Sequence, residues 1–256
     1  MKYVEFLSRL AQLKNGGFVQ THREGDTGVG KTLEDLVGIE ENNLDGPDFE
    51  TYELKSARKS STSMLTLFTK VPEPHGANSL LLAAYGYPSR KTGPNLPAAP
   101  GRLAPGVTLP VPDMPEAGFG NELHVTVEFG HENRLGLSLG LEAESLVVEN
   151  PKGVPAFYRR AYLQEAFERK YGHKLVYVLA DRKKNSRSPE EFHYDEAFLL
   201  SGFSFEGFLS QIRKRVVKLD LRMGHYPDGR PHDHGTGFRV LPKELPLCFS
   251  RVSRIL

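Results

Sequence analysis

Residues 47–55 read Pro-Asp-Phe-Glu-Thr-Tyr-Glu-Leu-Lys, a P-D-x4-E-x-K spacing. An extended chain alternates its side chains between two faces, so Glu53 and Lys55 share one face while Tyr52 and Leu54 enter the opposite layer. Asp48, entering from the turn after Pro47, can then meet Glu53 around one hard cation, and two carboxylates suit Mg²⁺. The lysine can orient or activate a water molecule and offset charge on a phosphorane. The same run also fits a surface strand carrying ordinary charges, because E-x-K alone is a short pattern.

The rest of the chain supplies layers for such a strand. Val4, Leu7, Leu10 and Leu13 recur at helical spacing over residues 3–14, and Asn15-Gly16-Gly17 stops that helix. Thr32-Leu33-Glu34-Asp35 resembles a capping box opening a second helix. Residues 64–69 are rich in β-formers, and Ala77 to Tyr85 reads as helix. Prolines and glycines crowd residues 86–120 and periodicity disappears, which predicts a long loop or insertion. Strands follow at Leu123–Phe129, Arg134–Leu141 and Ser145–Glu149, then a helix from Ala156 to Tyr171 and an apolar strand from Leu175 to Leu179. After a charged loop over Asp181–Glu191 come a helix from Phe205 to Val216 and strands at Val217–Arg222 and Gly237–Val240. Irregular alternation of helices and strands predicts an α/β class with a mixed sheet.

With 256 residues, 39% hydrophobic and 25% charged, the chain has the composition of an ordinary globular protein. No apolar run approaches the roughly 20 residues of a membrane helix, no signal-peptide pattern opens the chain, and the lone Cys248 fits a reducing cytosol. A net charge of +1 requires any nucleic-acid affinity to come from local patches. Residues 211–240 offer one, with Arg213, Lys214, Arg215, Lys218, Arg222, Arg230 and Arg239 against only Asp220, Asp228 and Asp233.

Gly25-Asp-Thr-Gly-Val-Gly-Lys31-Thr32 satisfies the phosphate-loop pattern G-x-x-x-x-G-K-[ST]. Such a loop must leave a buried parallel strand, yet Gln20 to Glu24 is polar throughout and would bury unpaired charge. A glycine-rich turn leading into a helix is the better reading, with that helix's N-terminus able to face a DNA phosphate. A nucleotide hydrolase built on this loop is the rival reading. Further along, Arg222, His225, Arg230, His232, His234 and Arg239 crowd a Gly/Pro-rich stretch. Three histidines there could ligate zinc, or serve no special role. Alternatively the arginine forks and imidazoles could read guanine O6 and N7 from the major groove, and the phosphodiesterase triplet in the same chain favours that reading.

The order of these blocks resembles the MvaI/BcnI family of type II restriction endonucleases, relatives of the MutH nicking enzyme in the PD-(D/E)xK superfamily. The resemblance rests on Gly25 to Leu36, Asn43 to Asp48, Glu53-Leu-Lys55, Leu65 to Lys70, Gly76-Ala-Asn78 and His232 to Arg239. It implies a MutH-like fold: a mixed central β-sheet with flanking helices and a DNA-reading lobe. Within one domain over residues 1–256, a catalytic lobe would span roughly 1–85 plus central strands in 121–180. A recognition lobe would span roughly 200–245, with 86–120 as the proline-rich insertion. The implied activity is Mg²⁺-dependent cleavage of double-stranded DNA, with Mn²⁺ able to substitute, at a short near-palindromic CCNGG-type site. The implied enzyme is a cytoplasmic, prokaryotic monomer that nicks one strand at a time, beside a cognate methyltransferase. Asp48, Glu53 and Lys55 match the catalytic triad, Asp48 and Glu53 the metal ligands, and Glu34 a further active-site acid. Asp220, Arg222, His232, His234 and Arg239 match base-reading positions, and His225 and Arg230 fall in the same reading loop. A repair nickase of the MutH type would keep the fold and change the biology.

Overall fold

A computed structural model of the chain describes residues 1–39, 48–88, 121–130, 135–140, 144–171, 174–184, 189–225, 231–233 and 235–256. Nearly all of the proline-rich stretch therefore lies outside the described residues, as do Arg230 and His234. The first third of the chain forms α1 (Tyr3–Gly16), β1 (Val19–Gln20), α2 (Gly28–Val37), β2 (Tyr52–Arg58), β3 (Leu65–Thr69), α3 (Ala77–Tyr85) and β4 (Tyr87–Pro88). Then come β5 (Asn121–Phe129), β6 (Gly136–Leu139), β7 (Ser145–Glu149), β8 (Phe157–Arg159) and α4 (Arg160–Tyr171). The chain continues through β9 (Lys174–Lys183), β10 (Glu191–Ser201), α5 (Phe205–Arg213), β11 (Val217–His225), β12 (Pro231–Asp233) and β13 (Gly237–Val240). It closes with a 3₁₀ segment (Pro242–Cys248) and β14 (Arg251–Arg254). The mixed α/β class expected from the sequence is observed, with the strands distributed over two sheets.

One compact unit comprises Met1–Leu65, Phe167–Leu209 and Val240–Leu256. Its sheet runs β1-β10-β9-β2, with β14 also on β10. β2 pairs parallel to β9, placing Glu53 opposite Leu175 and Lys55 opposite Tyr177, and among the described residues no strand pairs with its other edge. Leu54, Val176, Val178, Phe192 and Tyr194 form one face of this sheet and pack beneath Phe6 and Leu10 of α1 and Val29, Leu33 and Val37 of α2. Each fully buried side chain of this kind contributes about 1.5–3 kcal/mol. The stripe on α1 centres on Phe6 and Leu10, while Val4 is 77% exposed. Leu7, Leu10 and Leu13 of the expected stripe pack on this core, Phe6 joins them, and only Val4 faces away. Aromatic stacking sets the phase, since Tyr3 stacks on Tyr52 and Phe6 on Phe49, each at 4.7 Å between ring centroids.

α2 begins at Gly28, four residues before the expected capping box. Thr32 does not cap it; the side chain is buried and its hydroxyl accepts the His22 N–H at 2.9 Å. The chain at Thr21–Arg23 crosses the first turn so closely that a Cβ on Gly28 would lie 2.2 Å from the Arg23 carbonyl oxygen. Only glycine opens the helix there. A buried Arg58 then ties the preceding loop to the end of β2: its guanidinium donates to both Glu190 carboxylate oxygens and to the Gly25 carbonyl.

The second unit comprises Thr66–Ala166 and Ser210–Arg239. Its sheet runs β3-β13-β11-β5-β6-β7-β8, with β12 on β11 and β4 on β5. Leu219, Leu221 and Met223 alternate with Lys218, Asp220 and Arg222 along β11, so one face is core and the other polar. Phe238 of β13 packs against Phe68 and Tyr158 on the core side. Gly237 lets β13 approach β3, since a Cβ there would lie 2.4 Å from the Phe68 carbonyl oxygen. The helix expected from Ala156 starts at Arg160 instead, because Phe157 exchanges two backbone hydrogen bonds with Glu73 and joins β8.

Candidate active site

The catalytic candidates converge because β2 is an edge strand. The turn Phe49–Tyr52 closes with reciprocal backbone hydrogen bonds, and Glu50 takes φ 44° within it. That turn folds Asp48 back alongside β2, where its Oδ2 accepts the Leu54 N–H at 2.6 Å. A donor that no neighbouring strand uses thus fixes the aspartate. Glu53 is 5% exposed, and Lys55 Nζ donates to its Oε1 at 3.1 Å. Its second oxygen, Oε2, is buried and accepts no hydrogen bond, with Lys170 Nζ of α4 4.0 Å away. Burial, together with the Glu53 charge, pushes the Asp48 carboxyl up; the Leu54 N–H and the charges of Lys55 and Lys170 oppose the rise. A half-buried Asp48 beside a buried Glu53 with an orphaned oxygen fits a divalent cation.

Glu34 is half-buried on α2, its Oε1 3.9 Å from where a Cβ on Gly30 would begin, with Ser56 Oγ 3.7 Å from the same point. Ser56 shares the Leu54 side of β2 by alternation, the side opposite Glu53 and Lys55. The structure therefore brings Asp48, Glu53 and Lys55 together and places Glu34 beside the α2–β2 packing. The phosphate-loop rival finds no support in the fold. Its fourth residue is already helical, and its preceding strand is a two-residue antiparallel pairing with β10. Lys31, which would bind phosphates, pairs with Asp35 at 2.9 Å.

A second group of metal-ligating type, Asp181, His193 and Asp195, lies on β9 and β10. Lys59 pairs with its two carboxylates, 2.6 Å from Asp195 and 3.1 Å from Asp181, and lies 3.3 Å from the neighbouring Glu196. Burial works against the Lys59 charge, but these carboxylates outweigh it and hold the ammonium protonated well above its ordinary range. An ammonium group already supplies the positive charge there.

In the second unit the base-reading candidates gather on the polar face of β11. Asp220 is 0% exposed, and its carboxylate accepts from Arg239 Nη1 at 2.7 Å and Thr126 Oγ1 at 3.2 Å, with His124 Nε2 at 3.5 Å. Burial alone would push the Asp220 carboxyl up; the hydrogen bonds from His124 and Arg239 more than offset it and hold it below the usual range. Arg222 lies two residues on, on the same face and directly opposite His124. His232 pairs with Gly224 on β12. Asp233 shapes the next turn by accepting the Gly235 and Thr236 N–H groups, while Asn78 donates to its other oxygen. His225 ends β11, its side chain outside the described residues.

His124, beside Asp220, and Lys170, near Glu53, were not singled out from the sequence. His124 carried a usable signal, an alternating strand that places it opposite Arg222 once paired. Lys170 carried none, since it is one charge among several at the end of a helix.

The MvaI/BcnI restriction endonuclease family profile matches residues 7–249. Among solved structures, the chain is 27% identical to restriction endonuclease MvaI in a complex with its cognate DNA substrate. That match covers 100% of both chains with a TM-score of 0.77. Against MvaI in the absence of DNA the identity is 26%, over 100% of this chain and 98% of that one, with a TM-score of 0.54. No curated protein sequence matches. The mixed α/β fold is therefore that of MvaI, of the PD-(D/E)xK type.

Proposed function

The chain belongs to the MvaI/BcnI restriction endonuclease family, and on that premise we propose that it cleaves DNA at Asp48, Glu53 and Lys55. Membership makes it a type II site-specific deoxyribonuclease. The cation of this reading is Mg²⁺, replaceable by Mn²⁺, held by Asp48 and by the Glu53 oxygen that accepts no hydrogen bond. That orphaned oxygen is the observation that carries the proposal. When bound, the cation supplies Lewis acidity and a more acidic water.

The remaining work falls to the protein's own groups. The Leu54 N–H fixes the Asp48 carboxylate in place. Lys55, drawn to Glu53 Oε1, is placed to orient a water for in-line attack and to offset charge on the phosphorus oxygens. Water attacks phosphorus and gives up a proton to solvent, the bond to the 3′ oxygen breaks and that oxygen takes up a proton from solvent, and the products are a 5′-phosphate and a 3′-hydroxyl. By resemblance Glu34 would be a further active-site acid, though it stands on the side of β2 opposite Glu53 and Lys55. Arg222, Arg239 and His232, with His225, Arg230 and His234, would read a CCNGG-type site, and Asp220 would hold Arg239 in position to do so. One triplet per chain suits a monomer that nicks one strand at a time, in the prokaryotic cytoplasm, beside a methyltransferase of the same specificity. No helix among the described residues is long and apolar enough to cross a membrane.

Plasmid of known sequence, digested in Mg²⁺ and sequenced at the fragment ends, tests this directly. Discrete ends at one CCNGG-type site are expected. Asp48→Ala and Lys55→Ala should each lose roughly 10³-fold or more in rate while keeping specific binding in Ca²⁺. Full cleavage by the Lys55 variant would remove it from the reaction.

A further inference from the structure

A carboxylate is the usual protein acceptor for the N4 amino group of cytosine in the major groove. Asp220 is the acid on the polar face of β11, and it is out of reach. Its side chain is buried and both oxygens are engaged, Oδ1 by Thr126 Oγ1 and Oδ2 by Arg239 Nη1. The acid therefore acts through the groups it holds. One is the Arg239 guanidinium. Another is the His124 imidazole, whose Nε2 lies 3.5 Å from the same Oδ2 and whose side chain is half exposed.

β11 runs between β13 and β5, so Arg239 and His124 reach Asp220 from its two flanking strands. Across the β5–β11 pairing, His124 stands opposite Arg222 and Thr126 opposite Asp220. The Asp220 carboxyl is held below its usual range and so stays ionised, and an ionised carboxylate only accepts. It draws the ring proton of His124 to Nε2. In the neutral imidazole that leaves Nδ1 as a bare acceptor, while the guanidinium of Arg239 offers donors alone. Thr126 is the other acceptor on this face, but its short hydroxyl is turned down to Asp220. The imidazole projects further from the sheet.

A G·C pair shows the major groove N7, O6 and N4 in that order, two acceptors followed by a donor. A guanidinium fork answers the first two and leaves the third to an acceptor beside it. We infer that His124 is a specificity-determining residue whose Nδ1 accepts the N4 amino group of a cytosine, next to the guanine taken by Arg239. This rests on the endonuclease reading above and on its base-reading face. Asp220 then fixes both halves of one reader, the donors of a guanidinium and the acceptor of an imidazole. An A·T pair shows an acceptor, a donor and an acceptor. It sets an amino group against the guanidinium and a carbonyl against the bare nitrogen, so it is rejected twice rather than once.

Once the plasmid digest has given the site, duplexes with pyrimidinone in place of one cytosine at a time remove the N4 amino group alone. In competition binding in Ca²⁺, one such position should weaken wild type roughly ten-fold more than it weakens His124→Ala. The comparison cancels the cost of the weaker base pair, which both proteins meet. His124→Gln, whose amide nitrogen can donate to Asp220 while its oxygen accepts, should recover most of that difference. A histidine that only packs against Asp220 would show no difference at any cytosine, and that result overturns the inference. So does equal weakening of His124→Ala on every sequence, nonspecific DNA included, which makes His124 a phosphate contact. A difference found instead at a guanine whose O6 is removed, by aminopurine, makes the ring a donor and overturns it as well. Cytosine dependence that persists in His124→Ala and vanishes in Thr126→Val assigns the acceptor to the hydroxyl, with the same consequence. Should His124→Ala fail to fold, as judged by its melting profile, His124→Lys takes its place, since it offers Asp220 a donor and DNA no acceptor. Wild-type protein that prefers no site overturns the endonuclease reading, and this inference with it. Wild type that prefers its site while His124→Ala discriminates equally well overturns the inference alone.

Discussion

Each of the two compact units buries a carboxylate beside basic side chains, and the two carboxylates are treated in opposite ways. Asp220 is fully satisfied: Arg239 and Thr126 donate to it, His124 lies against it, and its carboxyl is held below the usual range. Asp48 and Glu53 are left short. One Glu53 oxygen accepts nothing, and Asp48 is pushed up by burial and by its neighbour's charge. A completed pair rigidifies its surroundings and presents cationic groups in a fixed geometry, which suits reading. An incomplete pair carries a desolvation cost that an added divalent cation relieves, which suits catalysis. Burial by itself distinguishes neither role; satisfaction does.

The largest effect that can break this comparison is on stability. Asp220→Asn leaves Arg239 and His124 against a neutral amide inside the sheet. It should cost about 3–5 kcal/mol in urea denaturation at pH 7, the usual cost of breaking a buried ion pair. The pH dependence has a definite sign. Because the folded Asp220 pKa lies below its ordinary value of 3.8, its contribution is fully present above that value. It is lost as pH falls through the depressed folded value. The variant should lack this acid-sensitive component. A variant as stable as wild type at pH 7, with the same acid limb, would mean that Asp220 is not the anchor of this face.

Arg239 should show a smaller and more selective effect. Arg239→Ala removes a guanidinium held by Asp220 on the polar face of β11 and β13. In competition binding in Ca²⁺, it should lose about 1–3 kcal/mol of discrimination at one base pair. Equal weakening on all sequences, with a shallower salt dependence, would make it a phosphate contact instead.

How much of this was legible in the sequence follows from how local each cause is. The alternation through Tyr52, Glu53, Leu54 and Lys55 is a property of four residues, and the structure keeps both faces as read. β10 was not legible. Its alternation through Glu191, Phe192, His193 and Tyr194 is broken by a register shift before Glu196, so no single period spans the strand. The start of α2 was misplaced because the chain that crosses it, Thr21–Arg23, imposes a glycine and commandeers the Thr32 hydroxyl. Phe157–Arg159 is strand for a similar reason, a partner at Glu73 far away in sequence. Lys170 owes its place near Glu53 to α4 as a whole, and no pattern around residue 170 records that.

The smallest predicted effect tests the unsatisfied half of the comparison. If Asp48 and Glu53 are held at a cost for want of a cation, then removing one charge should relieve that cost in the metal-free protein. Asp48→Asn is nearly isosteric and keeps an oxygen to accept the Leu54 N–H, so the turn that positions it survives. Its melting temperature without metal should therefore equal or exceed that of wild type, in contrast to the loss expected for Asp220→Asn. Millimolar Mg²⁺ should then raise the melting temperature of wild type, because a ligand bound by the folded state alone stabilises it. Asp48→Asn should gain much less. A metal-free Asp48→Asn protein that melts well below wild type would place the two carboxylates in the same structural class, and the contrast between a finished and an unfinished ion pair would fail.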